Sequence, residues 1–137
     1  MDEISSPNLF VYRFFKQSYR GGRVEIFKEY AEHRSDNFGI GYVDFTSLYP
    51  AICLNHTFPA GFYTEVNGQS NYNAHCYGIY LCKVIFQKEN VLPFLSVKLN
   101  GKNVYPLGRW IGIYTSIEIE KARELDYNIE IISGFYF

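Results

Sequence analysis

A single carboxylate, Asp44, stands where the apolar, β-favouring run through Ile40, Tyr42 and Val43 gives way to a turn. An acid at the end of a strand of this kind calls for a chemical reason, and the next residues supply one. Phe45-Thr46-Ser47-Leu48 presents successive backbone N–H groups and two hydroxyls, and Pro50, after Tyr49, fixes φ where a helix can begin. This is the pattern of a metal-binding carboxylate beside a row of donors suited to phosphate oxygens. A second cluster lies upstream. Between Arg13 and Lys28 the cations are Arg13, Lys16, Arg20, Arg23 and Lys28 against one acid, Glu25, and they surround the pair Gly21-Gly22. Tyr12, Phe14, Phe15 and Tyr19 are interleaved with them. Cations beside stacking rings suit a single-stranded nucleic-acid track, and a plain solvated face is the other reading.

Other reactive side chains point to less. Cys53, Cys76 and Cys82 have no C-x-x-C spacing and read as structural thiols of a reducing compartment, in preference to a zinc site or disulfide framework. His56, beside Asn55 in a turn, reads as a hydrogen-bonding loop residue in preference to a ligand.

The elements that must position these residues follow from the pattern. Ser5-Ser6-Pro7 reads as a helix start and predicts a helix over 8–17. The paired glycines end that segment and leave room for another backbone or a nucleic-acid strand to come close. Residues 23–28 alternate as a strand does, and 30–38 form a polar connector. The strand ending at Asp44 comes next, then a helix over 50–54, broken by His56-Thr57-Phe58-Pro59-Ala60-Gly61. Asn67-Gly68 occupies a hairpin position. Tyr77–Phe86 reads as a strand covered on both faces, 91–99 as an extended segment interrupted by Pro93, and Asn100-Gly101-Lys102-Asn103 as a turn leading into 104–113. Thr115-x-x-Glu118 is a capping box, predicting a helix over 116–126 that buries Ile119, Ala122 and Leu125, and 129–137 closes the chain as a strand. The expected class is α+β: a small antiparallel sheet built from the Arg23, Val43 and late strands, with helices on it and a β-rich subdomain over 77–99.

Composition sets the bounds. The 137 residues fit one domain, and 47% hydrophobic with 20% charged is globular rather than disordered. Aromatic content is 19%, with 13 Tyr and 12 Phe, more than a core of this size needs. Either many rings face a partner or ligand, or the coding sequence is AT-rich; both can hold. The net charge of −1 excludes a global polyanion-attracting field, so any nucleic-acid surface must be local. No run approaches the ~18 apolar residues of a membrane span, and Met1-Asp2-Glu3 lacks the basic flank of a secretory signal. No membrane partner and no secretion are expected.

Asp44-Phe45-Thr46-Ser47-Leu48-Tyr49-Pro50 resembles motif A, Asp-x-x-Ser-Leu-Tyr-Pro, of family B DNA polymerases. Tyr19-Arg20-Gly21-Gly22 resembles the Tyr-x-Gly-Gly motif of that family's protein-primed branch, the branch of viral and linear mitochondrial-plasmid enzymes, and both occur in the family's order. The resemblance implies a division into the end of an exonuclease–palm connector helix (1–18), a palm segment with both motifs (19–62), and an insertion subdomain like the first terminal-protein region (63–137). It implies DNA-directed DNA synthesis with two Mg²⁺ ions. Asp44 and the Phe45 carbonyl would bind metal, Ser47, Leu48 and Tyr49 the incoming dNTP, and Tyr19, Arg20, Gly21, Gly22 and Arg23 the DNA template-primer. Tyr49 would stack beneath the sugar and exclude a 2′-hydroxyl. Terminal protein and the rest of the polymerase are the further implied partners, and a mitochondrion or a virus-infected host cell is the implied location.

The departures from the family pattern matter equally. The Asp-Thr-Asp hairpin that brings the second metal carboxylate, the Lys-x-x-x-Asn-Ser-x-Tyr-Gly helix and the exonuclease Asp-x-Glu segment do not occur in these 137 residues. The chain is therefore expected to be an incomplete piece, inactive alone. A non-catalytic module binding DNA or terminal protein is the alternative, and an unrelated α+β domain with accidental motifs the third.

Overall fold

The computed structural model describes residues 7–32, 39–89 and 91–137. The expected Ser5-Ser6 helix start therefore lies outside the described residues, as does most of the polar connector. Two units are distinguished by contact: residues up to Gly21 together with Pro59–Phe137, and Gly22–Phe58.

The first unit is organised by long apolar strands. Its elements in chain order are helix α1 (Leu9–Ser18), then β1 (Thr64–Asn67), β2 (Gly78–Phe86), β3 (Val97–Leu99), β4 (Lys102–Val104), β5 (Gly108–Thr115), a helix over Ser116–Glu124, and β6 (Asn128–Tyr136). Strands β1, β6, β2 and β5, in that spatial order, form one antiparallel sheet. The strand period of two sends Tyr80, Cys82, Val84 and Phe86 of β2 to one face, where they pack with Tyr114, Ile129, Ile131 and the apolar stripe Ile119 and Ala122 of the Ser116–Glu124 helix. Ile79, Ile113 and Phe135 occupy the reverse face and are also buried. There Phe14 and Phe15 of α1 meet Phe135 edge-on at 5.3 and 5.8 Å between ring centres. The capping box is formed: the Thr115 hydroxyl accepts from the Glu118 amide, and the Glu118 carboxylate accepts from the Thr115 amide at 2.8 Å. Strand β6 carries an extra residue, Ile132, opposite Leu81 and Cys82, and its carbonyl accepts from the Gly68 amide at 2.9 Å. Beside the sheet, β3 and β4 make a hairpin whose two turn residues, Asn100 and Gly101, both have positive φ (51° and 79°), as a mirror-image two-residue turn requires.

The fold class is α+β, as expected, but the sheet differs in membership. Neither 23–28 nor 40–43 is a strand: both segments are chiefly exposed and pair with no strand among the described residues. A strand is a cooperative object, and apolar alternation without a partner edge gives only extended chain. Asn67-Gly68 is not a hairpin turn either. Strand β1 pairs with β6 at the far end of the sequence, and a short 3₁₀ turn over Gln69–Asn71 follows it. Likewise β2 belongs to the main sheet rather than to a subdomain over 77–99. Helix α1 begins one residue after Asn8, whose side chain caps the Val11 amide at 2.9 Å.

The second unit contains helix α2 (Leu48–Asn55), so the Ser116–Glu124 helix is α3. Every described residue from 22 to 58 is at least partly accessible, so this unit has no buried core of its own.

Candidate functional site

The motif around Asp44 sits entirely in the second unit. Residues 39–45 have no regular secondary structure and lead into a two-residue turn, Thr46-Ser47, and α2 starts at Leu48. Ser47 is the helix N-cap in the left-handed conformation (φ 56°), unusual for a serine, and its carbonyl accepts the first helical bond from Ala51 at 3.0 Å. Pro50 falls in the first helical turn, where the missing N–H is no loss. The amides of Leu48 and Tyr49 occupy that same turn, where a helix has no internal acceptor for them. They are donors at the positive end of a helix that carries no acidic residue in its first turn. Asp44 itself is exposed and makes no ion pair among the described residues, and the rings of Phe45 and Tyr49 stand 74% and 81% exposed. The Asp44 carboxylate, the Phe45 carbonyl and the two helix-start amides are thus gathered in six consecutive residues open to solvent.

A divalent-cation centre needs more than this. Mg²⁺ keeps a near-octahedral shell of roughly six oxygens, and a carboxylate with one carbonyl falls short of it. Among the described residues no group of three or more His, Cys, Asp or Glu side chains is placed to hold a metal ion. These residues do not by themselves fit a two-ion site.

The double-glycine loop is divided. Tyr19, Arg20 and Gly21 belong with the sheet, and Gly22 and Arg23 with the second unit, where Arg23 forms an ion pair with Glu25. Tyr19 is exposed. Arg20, expected to reach DNA, is turned inward, its side chain only 9% exposed. It donates to the Ile113 carbonyl at 2.6 Å and the Ser18 carbonyl at 3.2 Å, lies 3.7 Å from the Glu118 carboxylate, and covers the Tyr114 ring at 4.4 Å. Both terminal nitrogens of its guanidinium are engaged by the protein, and Tyr19 and the outer cations such as Lys16 are groups of this region that face solvent. The Asn103 amide side chain donates to the Gly21 carbonyl at 3.0 Å. Sequence reasoning could read Thr115–Glu118 as a cap but had no signal that Glu118, Tyr114 and Asn103 also meet the loop.

The comparisons with known proteins bear on these motifs together. The family described as DNA polymerase type B, organellar and viral, matches residues 1–137. The chain belongs to that family. Two relatives named "Probable DNA polymerase", from Podospora anserina and Neurospora intermedia, are each 31% identical to it, over 123 and 140 residues. The matches cover 89% and 93% of this chain but 10% and 14% of the relatives, so the chain spans a small part of their length. No solved structure matches. In this family B polymerase chain the Asp44 motif therefore lies wholly within one contact unit, whereas the double-glycine motif is split, Tyr19–Gly21 in one unit and Gly22 in the other.

Proposed function

We propose that the chain is the part of a protein-primed DNA polymerase that presents the first metal carboxylate and the dNTP-binding turn. The whole activity is nucleotidyl transfer, in which a primer hydroxyl attacks the α-phosphorus of a dNTP and pyrophosphate leaves. The observation that carries this reading is the Asp44 carboxylate, open to solvent, four and five residues from the amides of Leu48 and Tyr49, which lie in the first turn of α2, where the helix offers them no internal acceptor. In it Asp44 and the Phe45 carbonyl contribute to a Mg²⁺ site completed by ligands beyond this set, Ser47, Leu48 and Tyr49 hold the triphosphate, and the Tyr49 ring excludes a 2′-hydroxyl by shape. Tyr19, Gly21, Gly22 and Arg23 face the template-primer, terminal protein and the rest of the polymerase are its protein partners, and the working compartment is a mitochondrion or a virus-infected host cell. In this reading residues 1–18 end the exonuclease–palm connector, 19–62 are the palm segment with both motifs, and 63–137 are the insertion subdomain.

Primer extension by the purified 137-residue chain, with Mg²⁺ and dNTPs, tests the incompleteness: no product is expected, and robust extension would contradict it. A second reading, a non-catalytic module for DNA or terminal protein, is favoured by the single carboxylate. It predicts single-strand binding that weakens with salt and is unchanged by Asp44→Ala, whereas binding that requires Asp44 and dNTP would oppose it.

A further inference from the structure

Arg20 stands out among the described cations. It is nine-tenths buried, it reaches a carbonyl 93 residues away in sequence, and its Nε has no partner among the described groups. Removing a guanidinium from water is costly unless its geometry is needed. Apart from the nearby Ser18 carbonyl, its partners are at one corner: Ile113 and Tyr114 near the end of β5, and Glu118 in the first turn of α3. The planar fork of arginine suits this corner, where one group must donate to two carbonyls and lie over a ring; a lysine ammonium cannot do both. Glu118 is committed in turn, because one of its oxygens closes the α3 capping box while the other faces Arg20. The neighbouring residue is held from another side, by Asn103 of β4 on the Gly21 carbonyl. Two contacts of large sequence separation, one charged and one neutral, therefore fix consecutive residues of the loop against the sheet.

We infer that Arg20 is a positioning residue, not a phosphate ligand: with Asn103 it latches Tyr19–Gly21 onto the β5–α3 corner and β4, so that the exposed Tyr19 ring is held out at a fixed angle to a single-stranded template. The inference rests on the proposed reading that this loop meets DNA. Fixing the loop before binding lowers the ordering cost that the strand would otherwise meet, so loss of the latch weakens binding without removing a charge–phosphate contact. This separates its effect from that of a surface cation. A residue that neutralises a phosphate lowers the slope of log K against log salt by about 0.7 on single strands, whereas a latch leaves the slope alone.

The test uses the purified 137-residue chain and a fluorescent oligothymidylate across a salt series, with Arg20→Gln, Asn103→Ala, Glu118→Gln and Lys16→Gln, alongside NMR order parameters of the loop amides. Asn103→Ala and Arg20→Gln should each weaken binding about fivefold, the scale of one lost hydrogen bond, at unchanged salt slope. The Gly21 amide should fall from a rigid order parameter near 0.85 to below about 0.6 while the β2 and β6 amides stay rigid. Lys16→Gln should reduce the slope and leave loop order unchanged. Asn103 carries no charge, so its effect cannot be electrostatic, and its variant serves if Arg20 variants fold poorly. A slope reduced by about 0.7 in Arg20→Gln, or a Gly21 amide still rigid in Asn103→Ala, would overturn the latch. Wild-type chain that fails to bind the oligonucleotide while both variants loosen the loop would instead overturn the DNA reading, and with it the purpose assigned to the latch.

Discussion

At the scale of single residues, the same side-chain type is put to opposite uses according to burial. Arg20 is consumed inside while Lys16 stays outside, and Asp44 is open while Glu118 is tied into a cap. Nothing in the residue type distinguished these pairs, since a sequence shows which groups are charged but not which carbonyl 93 positions away will accept from them. The thiols divide similarly. Cys53 is exposed, whereas Cys82 is wholly buried and desolvation lifts its thiol to about 12, from an ordinary value of 9.0. Tyr80, beside it on the same face, is pushed up to about 12 by burial as well. Between about pH 9 and 12 the unfolded chain releases protons that the native one retains, so the native state binds more of them and stability falls as pH rises. The urea midpoint is expected to fall steadily over that window, with a shallower fall in Cys82→Ala. A midpoint that is flat or rising there would contradict the assignment.

At the scale of elements, segments that satisfy their own requirements locally were legible. The α3 cap and the apolar run of β2 are each specified within a few neighbouring residues and the structure places both as their patterns require, whereas the expected four-residue turn over 100–103 shrinks to Asn100-Gly101, because Lys102 and Asn103 pair with Leu99 and Lys98 in the β3–β4 hairpin. The segments 23–28 and 40–43 were not, because a strand exists only where another edge receives it, and alternation cannot say whether one will. The β1–β6 pairing, between residues near 65 and residues near 135, is likewise invisible to any local pattern. The place where β6 crosses β2 is especially tight. A Cβ built on Gly134 would lie 2.5 Å from the Ile79 carbonyl oxygen and 2.8 Å from the Tyr80 Cα, and neither backbone atom can move without breaking the ladder. Gly134→Ala should therefore destabilise the chain by about 1–3 kcal/mol, the range of core overpacking, as measured by urea denaturation. A change within about 0.5 kcal/mol would show that the strands give way there more easily than the geometry implies.

At the scale of the molecule, the two units differ in burial. The sheet with α1 and α3 holds the buried core, and 22–58 holds the Asp44 motif with no buried core residue among those described. The excess of rings noted in the sequence has both fates: Tyr80 and Tyr114 fill the core, while Tyr42, Phe45 and Tyr49 stand in solvent. The central claim is that Asp44 is half of a cation cradle, and titration of the purified chain with Mn²⁺, read as paramagnetic broadening of its amide signals, tests it most directly. The account predicts weak, roughly millimolar binding that broadens the amides from Asp44 to Tyr49 first and is abolished by Asp44→Asn. Broadening centred elsewhere, or unchanged in Asp44→Asn, would contradict it.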